Sequence, residues 1–248
     1  PPARGGSGGE GAVVGDVGQG KVPWELPRAG GTSRQAVDRE CLVTRKGAGI
    51  MDASTLGKID IKGPDAAEFL DLVYTNAWRK LGVGRCRYGV MLRDDGLVID
   101  DGTTSRLAAT HYLMTTTTVN AVQVMQHIEF LLQVIWPDLE VHAASVTEQW
   151  TAVAIAGPKA RDVVAALVDI DVSNAAFPFL AVAACRIRST DGELPARVFR
   201  MSYSGELAYE IHVPADRGQA LWAATVAAGH PFGLMPYGPG AMRPFPAA

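Results

Sequence analysis

Two stretches of the chain repeat one pattern, in which a short apolar strand runs into Gly-Pro and then into a helix. The first is Ile59-Asp-Ile-Lys-Gly-Pro-Asp-Ala-Ala-Glu-Phe-Leu70, and the second is Val153-Ala-Ile-Ala-Gly-Pro-Lys-Ala-Arg-Asp-Val-Val164. Proline suits the first turn of a helix because its missing N–H would have no partner there, and the glycine before it permits a sharp reversal out of the strand. The repeat predicts two related halves, each built around one strand–turn–helix unit.

Further strands and helices are predicted from the alternation of apolar and polar residues around the two repeats. They are strands near Cys86–Leu92, Leu97–Arg106, Tyr112–Thr117, Ala181–Arg188, Ala196–Tyr203 and Ala208–Val213, and helices near Val119–Val134 and Arg217–Ala228. Because these strands pair locally and the helices are set to one side, we expect an α+β fold. A doubly wound parallel sheet is the less favoured alternative.

The N-terminal part of the chain differs in composition from the rest. Residues 1–21 are dominated by glycine, with hardly any large apolar side chain, so we expect a flexible arm. Residues 22–31 predict an extended segment, after which Ser33 is expected to cap a helix that runs to about Gly47. One domain is expected over residues 22–238.

Charge and cysteine content exclude several classes of protein. The 248 residues carry 23 basic and 26 acidic side chains, so there is no electrostatic attraction to nucleic acid or to an anionic membrane. The three cysteines lack CxxC spacing and the five histidines lack i,i+4 pairing, which predicts neither a disulfide framework nor a metal site. No nucleotide-binding or serine-hydrolase motif is present. We expect a cytoplasmic protein whose partners are small molecules or other proteins.

A pair of adjacent carboxylates ends the segment Asp94-Asp-Gly-Leu-Val-Ile-Asp-Asp-Gly102. Strand alternation puts Asp100 and Asp101 on opposite faces, so one of them must point toward the core or a cavity. A carboxylate persists there only when it is paired with donors or with a cationic ligand. A ligand site is one interpretation, and a turn or a solvated pair is the other. Asp94 and Asp95 are interpreted as turn residues.

A second motif, Ser202-Tyr-Ser-Gly-Glu-Leu-Ala-Tyr-Glu210, predicts two short strands joined by a Ser-Gly turn. Its two tyrosines offer aromatic faces, and Glu206 and Glu210 offer carboxylates able to accept two N–H bonds. A pterin ring requires both features. The alternative interpretation is a hairpin with a tyrosine in the core.

The third motif is the threonine run Leu113-Met-Thr-Thr-Thr-Thr118, which leaves a predicted strand and enters a predicted helix. Either Thr117 or Thr118 is expected to cap that helix. Inward-facing hydroxyls of the run would also be able to bind a ligand, but capping is the favoured role.

Together these motifs resemble the aminomethyltransferase family, the T-protein of glycine cleavage. The segment Met51-Asp-Ala-Ser-Thr-Leu-Gly-Lys58, continuing into the first repeat, looks like the opening of that family. Within the family, the chain is most similar to the branch at the C-terminal end of the alpha subunit of heterotetrameric sarcosine oxidases. Further segments that carry this likeness are Asp16-Val-Gly-Gln-Gly-Lys21, Val73-Tyr-Thr-Asn-Ala-Trp78, Phe177-Pro-Phe179, Pro195-Ala-Arg-Val-Phe-Arg200 and Pro236-Tyr-Gly238.

The resemblance implies a tetrahydrofolate site. Asp101 matches the single carboxylate that lies beside the folate nitrogens and organises the reaction. Tyr88 and Tyr203 match aromatic residues that line the folate pocket, and Glu210 matches the carboxylate that binds the pterin edge. Thr116 stands where the glycine-cleavage enzymes carry an asparagine, which fits the sarcosine oxidase branch.

The resemblance also implies a reaction. Demethylation of sarcosine at a flavin in another subunit yields an imine or formaldehyde, which is captured as 5,10-methylenetetrahydrofolate. Asp101 would orient the folate nitrogens and stabilise the positive charge that develops during capture. FAD, FMN and NAD are then expected only in missing segments or in the partner beta, gamma and delta subunits.

After Gly238 the sequence departs from the family. The family continues with an acidic helix that bears an arginine eight residues beyond this glycine, where the chain has Pro246, and Arg243 is out of register. The residues from Pro236 onward show neither helical nor strand periodicity. We therefore expect an aberrant Pro-rich tail over residues 239–248, a missing C-terminal barrel-like subdomain, and a chain that is a fragment.

Two other functions are weighed against this one. A free-standing glycine-cleavage aminomethyltransferase would act with a lipoyl carrier protein, and the threonine run and the segment from Met51 to Lys58 disfavour it. A folate-binding protein without catalysis would tolerate loss of the acidic pair, and retention of Asp101 disfavours it.

Overall fold

The computed structural model describes residues 12–17, 20–190 and 192–242. It divides into two compact units. Residues Leu56–Glu148 form the central unit, and the residues up to Thr55 together with those from Gln149 onward form the terminal unit. The single domain predicted over 22–238 is therefore two units, and each contains one copy of the strand–turn–helix repeat.

The helices and strands alternate along the described residues. In chain order they are β1 (Val13–Val17), β2 (Gly20–Glu25), α1 (Ser33–Lys46), β3 (Gly49–Asp52), β4 (Gly57–Lys62), α2 (Ala66–Val73), β5 (Arg85–Leu92), β6 (Val98–Ala108), β7 (His111–Thr116), α3 (Ala121–Phe130), β8 (His142–Ser145), β9 (Trp150–Ala156), α4 (Ala160–Leu167), β10 (Val182–Ser189), β11 (Gly192–Phe199), β12 (Ala208–Pro214), α5 (Gly218–Gly229), β13 (Met235–Pro236) and α6 (Pro239–Met242).

The two units share one sheet topology. The central sheet has the strand order β5-β6-β7-β4-β8, and the terminal sheet has the order β10-β11-β12-β9-β3-β13. In both, the three strands after the repeat form an antiparallel meander, and the third of them pairs with the strand of the repeat. The likeness of the two repeat segments thus extends to whole sheets, and the predicted α+β fold is confirmed.

A glycine with positive φ follows the strand of each repeat, β4 or β9. Gly63 has φ 142° and Gly157 has φ 126°. A Cβ atom at Gly63 would lie 1.9 Å from the carbonyl oxygen of Glu140, and one at Gly157 would lie 2.4 Å from that of Gly47. No other residue fits either position, because both the backbone conformation and the space require glycine.

Each sheet buries one face under helices. In the central unit, Phe69 and Leu70 of α2 and Ile128 of α3 pack on Ile59 and Met114 of the sheet. The terminal unit repeats this arrangement with α4 and α5 against strand residues such as Ile155 and Ile211. Side chains alternate between the two faces along a strand, so in both units the strand residues next to these core residues point away from the helices.

Several predicted boundaries are corrected by the structure. Thr32, not Ser33, caps α1: its side chain accepts from Gln35 N–H, and the Gln35 side chain accepts from Thr32 N–H. The strand predicted at Ala196–Tyr203 begins four residues earlier and ends at Phe199. Pro195 stands opposite Arg186 of β10 and precedes residues 197–199, with which β12 pairs, so pairing with β12 does not require an N–H at this position.

The predicted arm over residues 1–21 is also partly wrong. Residues 13–17 form β1, an antiparallel partner of β2, because three of these five residues are valines, which favour strands, and β2 is available for pairing. Residues 1–11 lie outside the described residues.

At the C-terminal end, Pro236 pairs within β13 and residues 239–242 form α6, where no periodicity was expected. Residues 243–248, including Arg243 and Pro246, also lie outside the described part.

The helix predicted over Val119–Val134 is shorter and less regular than expected. It begins at Ala121 and gives way after Phe130 to a π-helical turn over Leu131–Ile135. The threonines before it belong to β7 and to the connection that follows, so the apolar periodicity of this stretch overestimated the helix at its start.

The buried carboxylate of Glu40 joins three segments of the terminal unit. From α1, its Oε1 accepts from Leu26 N–H at 2.8 Å, and its Oε2 accepts from Gly238 N–H at 2.9 Å. Burial raises the pKa of this carboxyl above its ordinary value, and the two backbone hydrogen bonds and Arg39 act in the opposite direction. Glu40 thereby satisfies two N–H groups that lie outside regular structure.

Replacement of Glu40 by alanine should lower the free energy of unfolding by about 2–4 kcal/mol, because two buried N–H groups lose their acceptor. Asp38→Ala is the matched control, since Asp38 is an exposed acid of the same helix; its effect should stay within about 0.5 kcal/mol. Urea unfolding of both variants measures the difference. Equal destabilisation by the two would contradict the role given to Glu40.

Asp60 in β4 is held by two basic side chains of the central unit. His111 Nε2 lies 2.9 Å from Oδ1, and Lys62 Nζ lies 2.8 Å from Oδ2. Burial acts to raise the pKa of Asp60, but the hydrogen bonds from His111 and Lys62 outweigh it and bring the pKa below the ordinary value of 3.8. A carboxyl with a depressed folded pKa contributes stability that is complete above its unfolded pKa and lost as the pH falls through the folded one.

The difference in unfolding free energy between the wild-type chain and Asp60→Asn should therefore depend on pH. We expect it to be constant from neutral pH down to about pH 5 and to shrink below about pH 4. Guanidinium unfolding at a series of pH values measures it. A difference that stays constant through the acid range would show that Asp60 contributes no charge-dependent stability.

Candidate functional site

Asp100 and Asp101 point to opposite faces of β6, as the alternation of the strand predicted. Asp100 is buried on the helix-covered face, opposite Met91 of β5. Asp101 is half-buried on the other face, opposite Val90. The hydroxyl of Tyr88 donates to Asp101 Oδ2 at 2.8 Å. The carboxylate that the family resemblance singled out is therefore the accessible one of the pair.

Asp100 has a structural role. Its Oδ2 accepts from Thr117 N–H at 3.1 Å, and its Oδ1 accepts from Thr117 Oγ1 at 2.6 Å and from Asn120 Nδ2 at 3.1 Å. The buried carboxylate is thus surrounded by donors from the connection between β7 and α3. This arrangement meets the requirement that a buried charge be paired with donors.

The threonine run contributes to this connection in a way that differs from the prediction. Asn120 occupies the N-cap position of α3 without a side-chain capping hydrogen bond, and neither Thr117 nor Thr118 occupies that position. Thr117 serves Asp100 instead. Thr116 is buried, its hydroxyl donates to the Thr117 carbonyl at 3.0 Å, and its side chain fills the space left by Gly57. It lies on the helix-covered face, so its binding of folate stays a prediction.

The face that bears Asp101 carries a row of polar side chains across four strands of the central sheet. Tyr88 stands opposite Thr103 in the strand register, and Thr115 continues the row from β7. The hydroxyls of Thr103 and Thr115 lie 2.9 Å apart, and Thr115 Oγ1 also accepts from Thr103 N–H. Lys58 stands opposite Thr115, is fully buried, and donates from Nζ to the Leu56 carbonyl at 2.8 Å.

Tyr74 lies near the acidic pair without having been singled out as a site residue. It is buried, and its ring packs against Trp78 with a centroid distance of 5.2 Å. Burial raises the pKa of the Tyr74 phenol, and the negative charges of Asp100 and Asp101 raise it further. The phenol therefore stays protonated throughout the physiological range.

The terminal unit holds the other predicted site residues. Glu210 in β12 is half-buried, and its Oε2 lies 3.3 Å from Nε2 of the buried His212. Tyr203 is 73% exposed, in the connection between β11 and β12 rather than in a strand. Tyr209 is fully buried and stacks on Phe177, so the interpretation of one tyrosine as a core residue holds for it.

Residues 202–207 form a tight connection and not the predicted hairpin turn between two strands. Ser202 Oγ donates to the Glu206 carbonyl at 2.6 Å, and the Glu206 carboxylate pairs with Arg45 at 2.8 Å. Glu206 is therefore occupied in an ion pair with α1. Of the two carboxylates in the motif, Glu210 is the one whose strand position faces away from the core.

Sequence reasoning missed four polar neighbours of the predicted residues: Thr103, Thr115, Lys58 and His212. Strand alternation alone would have found two of them, because Thr103 lies two residues after Asp101 and His212 two residues after Glu210. The other two required the strand register, which local patterning does not determine. The histidines were considered only as metal ligands, whereas the structure places His212 Nε2 3.3 Å from a predicted ligand-binding carboxylate.

The model of the GCVT N-terminal domain family matches residues 7–245. The chain belongs to that family. Among curated relatives, sarcosine oxidase subunit alpha of Rhizobium meliloti (strain 1021) is 55% identical over 214 residues, which cover 86% of this chain and 22% of the relative. The subunit alpha of Corynebacterium sp. (strain U-96) is 50% identical over 229 residues, which cover 92% and 23%. The chain spans less than a quarter of the length of these relatives.

More distant relatives bear the name aminomethyltransferase. The aminomethyltransferase of Oceanobacillus iheyensis is 32% identical over 223 residues, which cover 88% of this chain and 56% of the relative. The structure of the glycine cleavage system aminomethyltransferase T from Bartonella henselae matches 98% of this chain and 60% of its own, with a TM-score of 0.78 and 23% identity, and so shows the same fold. The predicted family resemblance is confirmed.

Among the described residues, none of the helices combines the length and the apolar character that a membrane-spanning helix requires.

The opposite placement of the two adjacent aspartates predicts opposite consequences of their removal. Asp100→Ala should lower the free energy of unfolding by about 2–4 kcal/mol, because it leaves buried donors without an acceptor. Asp101→Ala should change it by less than about 1 kcal/mol, because that carboxylate is half-exposed. Chemical unfolding distinguishes the two, and a larger effect of Asp101→Ala would reverse the assignment of roles.

Proposed function

We propose that this chain binds reduced folate and takes part in capturing the one-carbon unit released by sarcosine demethylation. Its membership in the GCVT N-terminal domain family supports a folate-related one-carbon-transfer domain. The higher identity to sarcosine oxidase alpha subunits than to aminomethyltransferases favours the sarcosine oxidase reaction over glycine cleavage.

One observation carries this proposal: Asp101 is an accessible carboxylate whose orientation is held by a tyrosine. The Tyr88 hydroxyl donates to Oδ2 at 2.8 Å, which leaves Oδ1 and further lone pairs available to a ligand. The Tyr88 side chain is itself 50% exposed, so its ring offers a surface on which a flat heterocycle can pack. A half-buried carboxylate beside an aromatic ring suits a reduced pterin that carries N–H donors.

When bound, folate would supply two nitrogen nucleophiles: each forms a bond to the carbon of formaldehyde or of the imine, the C–O or C–N bond of that group breaks, and water or the free amine leaves with the two N–H protons to give 5,10-methylenetetrahydrofolate. Asp101 orients those nitrogens by accepting hydrogen bonds from them, and its negative charge stabilises positive charge that develops on nitrogen. Because Tyr88 holds the carboxylate beforehand, no reorientation is needed at the moment of reaction. The loss of one such oriented group costs about 2–4 kcal/mol of barrier lowering. In the terminal unit, we propose that Glu210 accepts from the pterin edge and that Tyr203 contacts the ring.

The rest of the enzyme is also part of the proposal. FAD, FMN and NAD would be held by segments beyond this chain or by the beta, gamma and delta subunits, which would deliver the imine or formaldehyde. The cysteine content supports a reducing compartment, the cytoplasm, as the site of action. The missing barrel-like subdomain stays a prediction, as does the role of Thr116.

Calorimetric titration of the chain with tetrahydrofolate tests the proposal. We expect saturable binding by the wild-type chain and an affinity at least about tenfold lower for Asp101→Ala, because a charge-assisted hydrogen bond is lost. Tyr88→Phe keeps the ring and removes the hydroxyl, so its loss should be smaller. Asp95→Ala is the matched control, since Asp95 is an exposed acid of the preceding turn paired with Arg93.

The outcomes separate the claims. A folded, monodisperse wild-type sample that binds no reduced folate would contradict folate binding by this chain. Binding that is equally strong in Asp101→Ala and Asp95→Ala would leave folate binding standing and remove Asp101 from it.

A further inference from the structure

His212 is a buried histidine that the proposed reaction does not use. Strand β12 alternates so that Tyr209, Ile211 and Val213 enter the helix-covered core, and Glu210 and His212 point to the opposite face. The imidazole is 1% exposed and the Glu210 side chain 18%. Their Nε2 and Oε2 atoms lie 3.3 Å apart, within hydrogen-bonding distance.

The imidazole is held in place by the neighbouring strand β11. Its ring packs on Phe199 with a centroid distance of 4.5 Å and an interplanar angle of 43°. In the register of β11 and β12, Phe199 stands opposite Glu210, and Arg197 stands opposite His212. The Arg197 guanidinium in turn lies 4.1 Å from the centroid of the Trp150 ring. The buried ring stacked on Phe199 has little room to move, so it offers a well-positioned hydrogen-bonding partner to Glu210.

One further ionisable group near Glu210 comes from another element. Tyr237, in the segment after β13, is buried, and its phenol pKa is raised by burial and then by the negative charge of Glu210. The phenol is therefore neutral at physiological pH. Within the described part of the chain, the titratable groups recorded as interacting with this carboxylate are thus His212 from its own strand and Tyr237. The helices α4 and α5 pack on the opposite face of the strand.

We propose that His212 is a positioning residue for Glu210: its Nε2–H donates to Oε2 and holds the carboxylate in the orientation that accepts from the pterin edge. This rests on the proposed function, because it assumes that Glu210 binds folate. A glutamate side chain has three rotatable bonds, and fixing them before the ligand arrives removes that entropic cost from binding. Neither the family match nor the names of the relatives assigns this role.

Two substitutions of His212 distinguish positioning from a merely structural role. Glutamine places an amide N–H close to where Nε2 lies in histidine, whereas the shorter asparagine side chain places its amide near Nδ1. Positioning predicts that His212→Gln retains folate affinity and that His212→Asn lowers it by about tenfold, the loss of one hydrogen bond to a charged group. Should the asparagine variant unfold, His212→Leu keeps an apolar group of similar size in the buried site and lacks the donor.

A double-mutant cycle with Glu210→Ala, which removes the acceptor, gives a second readout. The affinity of the chain for tetrahydrofolate is measured by calorimetry for the wild type, each single variant and the double variant. If His212 acts through Glu210, His212→Asn should cost about tenfold in the wild-type background and less than about twofold in the Glu210→Ala background. His111→Asn is the matched control, because His111 contacts the carboxylate of Asp60 in the other unit at 2.9 Å, and its folate affinity should equal that of the wild type.

Each result bears on one claim. Equal losses for the glutamine and asparagine variants, or a loss that persists in the Glu210→Ala background, would overturn the positioning role and leave the proposed function intact. Absence of folate binding by the folded wild-type chain would overturn both. Retention of affinity by His212→Gln, together with a non-additive cycle, supports the role.

Discussion

Both units depend on the same constraint, a glycine with positive φ that turns the chain out of a strand and into a helix across one face of the sheet. At Gly63 and Gly157 any side chain would collide with a backbone carbonyl. The helix that follows must lie on one side, so one face of each sheet becomes the core. The other face of each sheet carries side chains that the core cannot accept. Asp101, Tyr88 and Glu210 lie on that face, and Tyr203 lies in the connection between β11 and β12; Thr116 alone among the proposed ligand contacts lies on the helix-covered face.

The same alternation separates stability from chemistry within pairs of adjacent residues. Asp100 turns inward and supports the start of α3, while Asp101 turns outward and meets Tyr88. Tyr209 turns inward and stacks in the core, while Glu210 turns outward and meets His212. Asp101 and Glu210 are therefore each adjacent in the chain to a residue that packs or pairs inside, and this anchors the strands that present them.

Predictions from local sequence failed where a hydrogen-bonding partner outside the segment decides the structure. Residues 13–17 of the glycine-rich N-terminal stretch form β1 because they pair with β2. Met235 and Pro236 form a strand because they pair with β3. Thr117 does not cap α3, because a buried carboxylate 17 residues earlier in the chain takes its N–H and hydroxyl. Composition and periodicity report the preferences of a segment, and these preferences are weaker than a hydrogen-bonded partner.

The sequence by itself determined the α+β class, the duplication, the approximate positions of the helices and strands, and the face to which Asp101 points. Strand alternation and the Gly-Pro turn depend only on residues that are close together in the chain. The sequence also led to the family, and with it to Tyr88, Tyr203 and Glu210. Only the tertiary structure decided the division into two units, the register that brings Tyr88 beside Asp101 and Thr115 beside Thr103, and the packing that fixes His212 against Glu210. These depend on which strands become neighbours, and residues far apart in the chain become neighbours only when the sheets assemble.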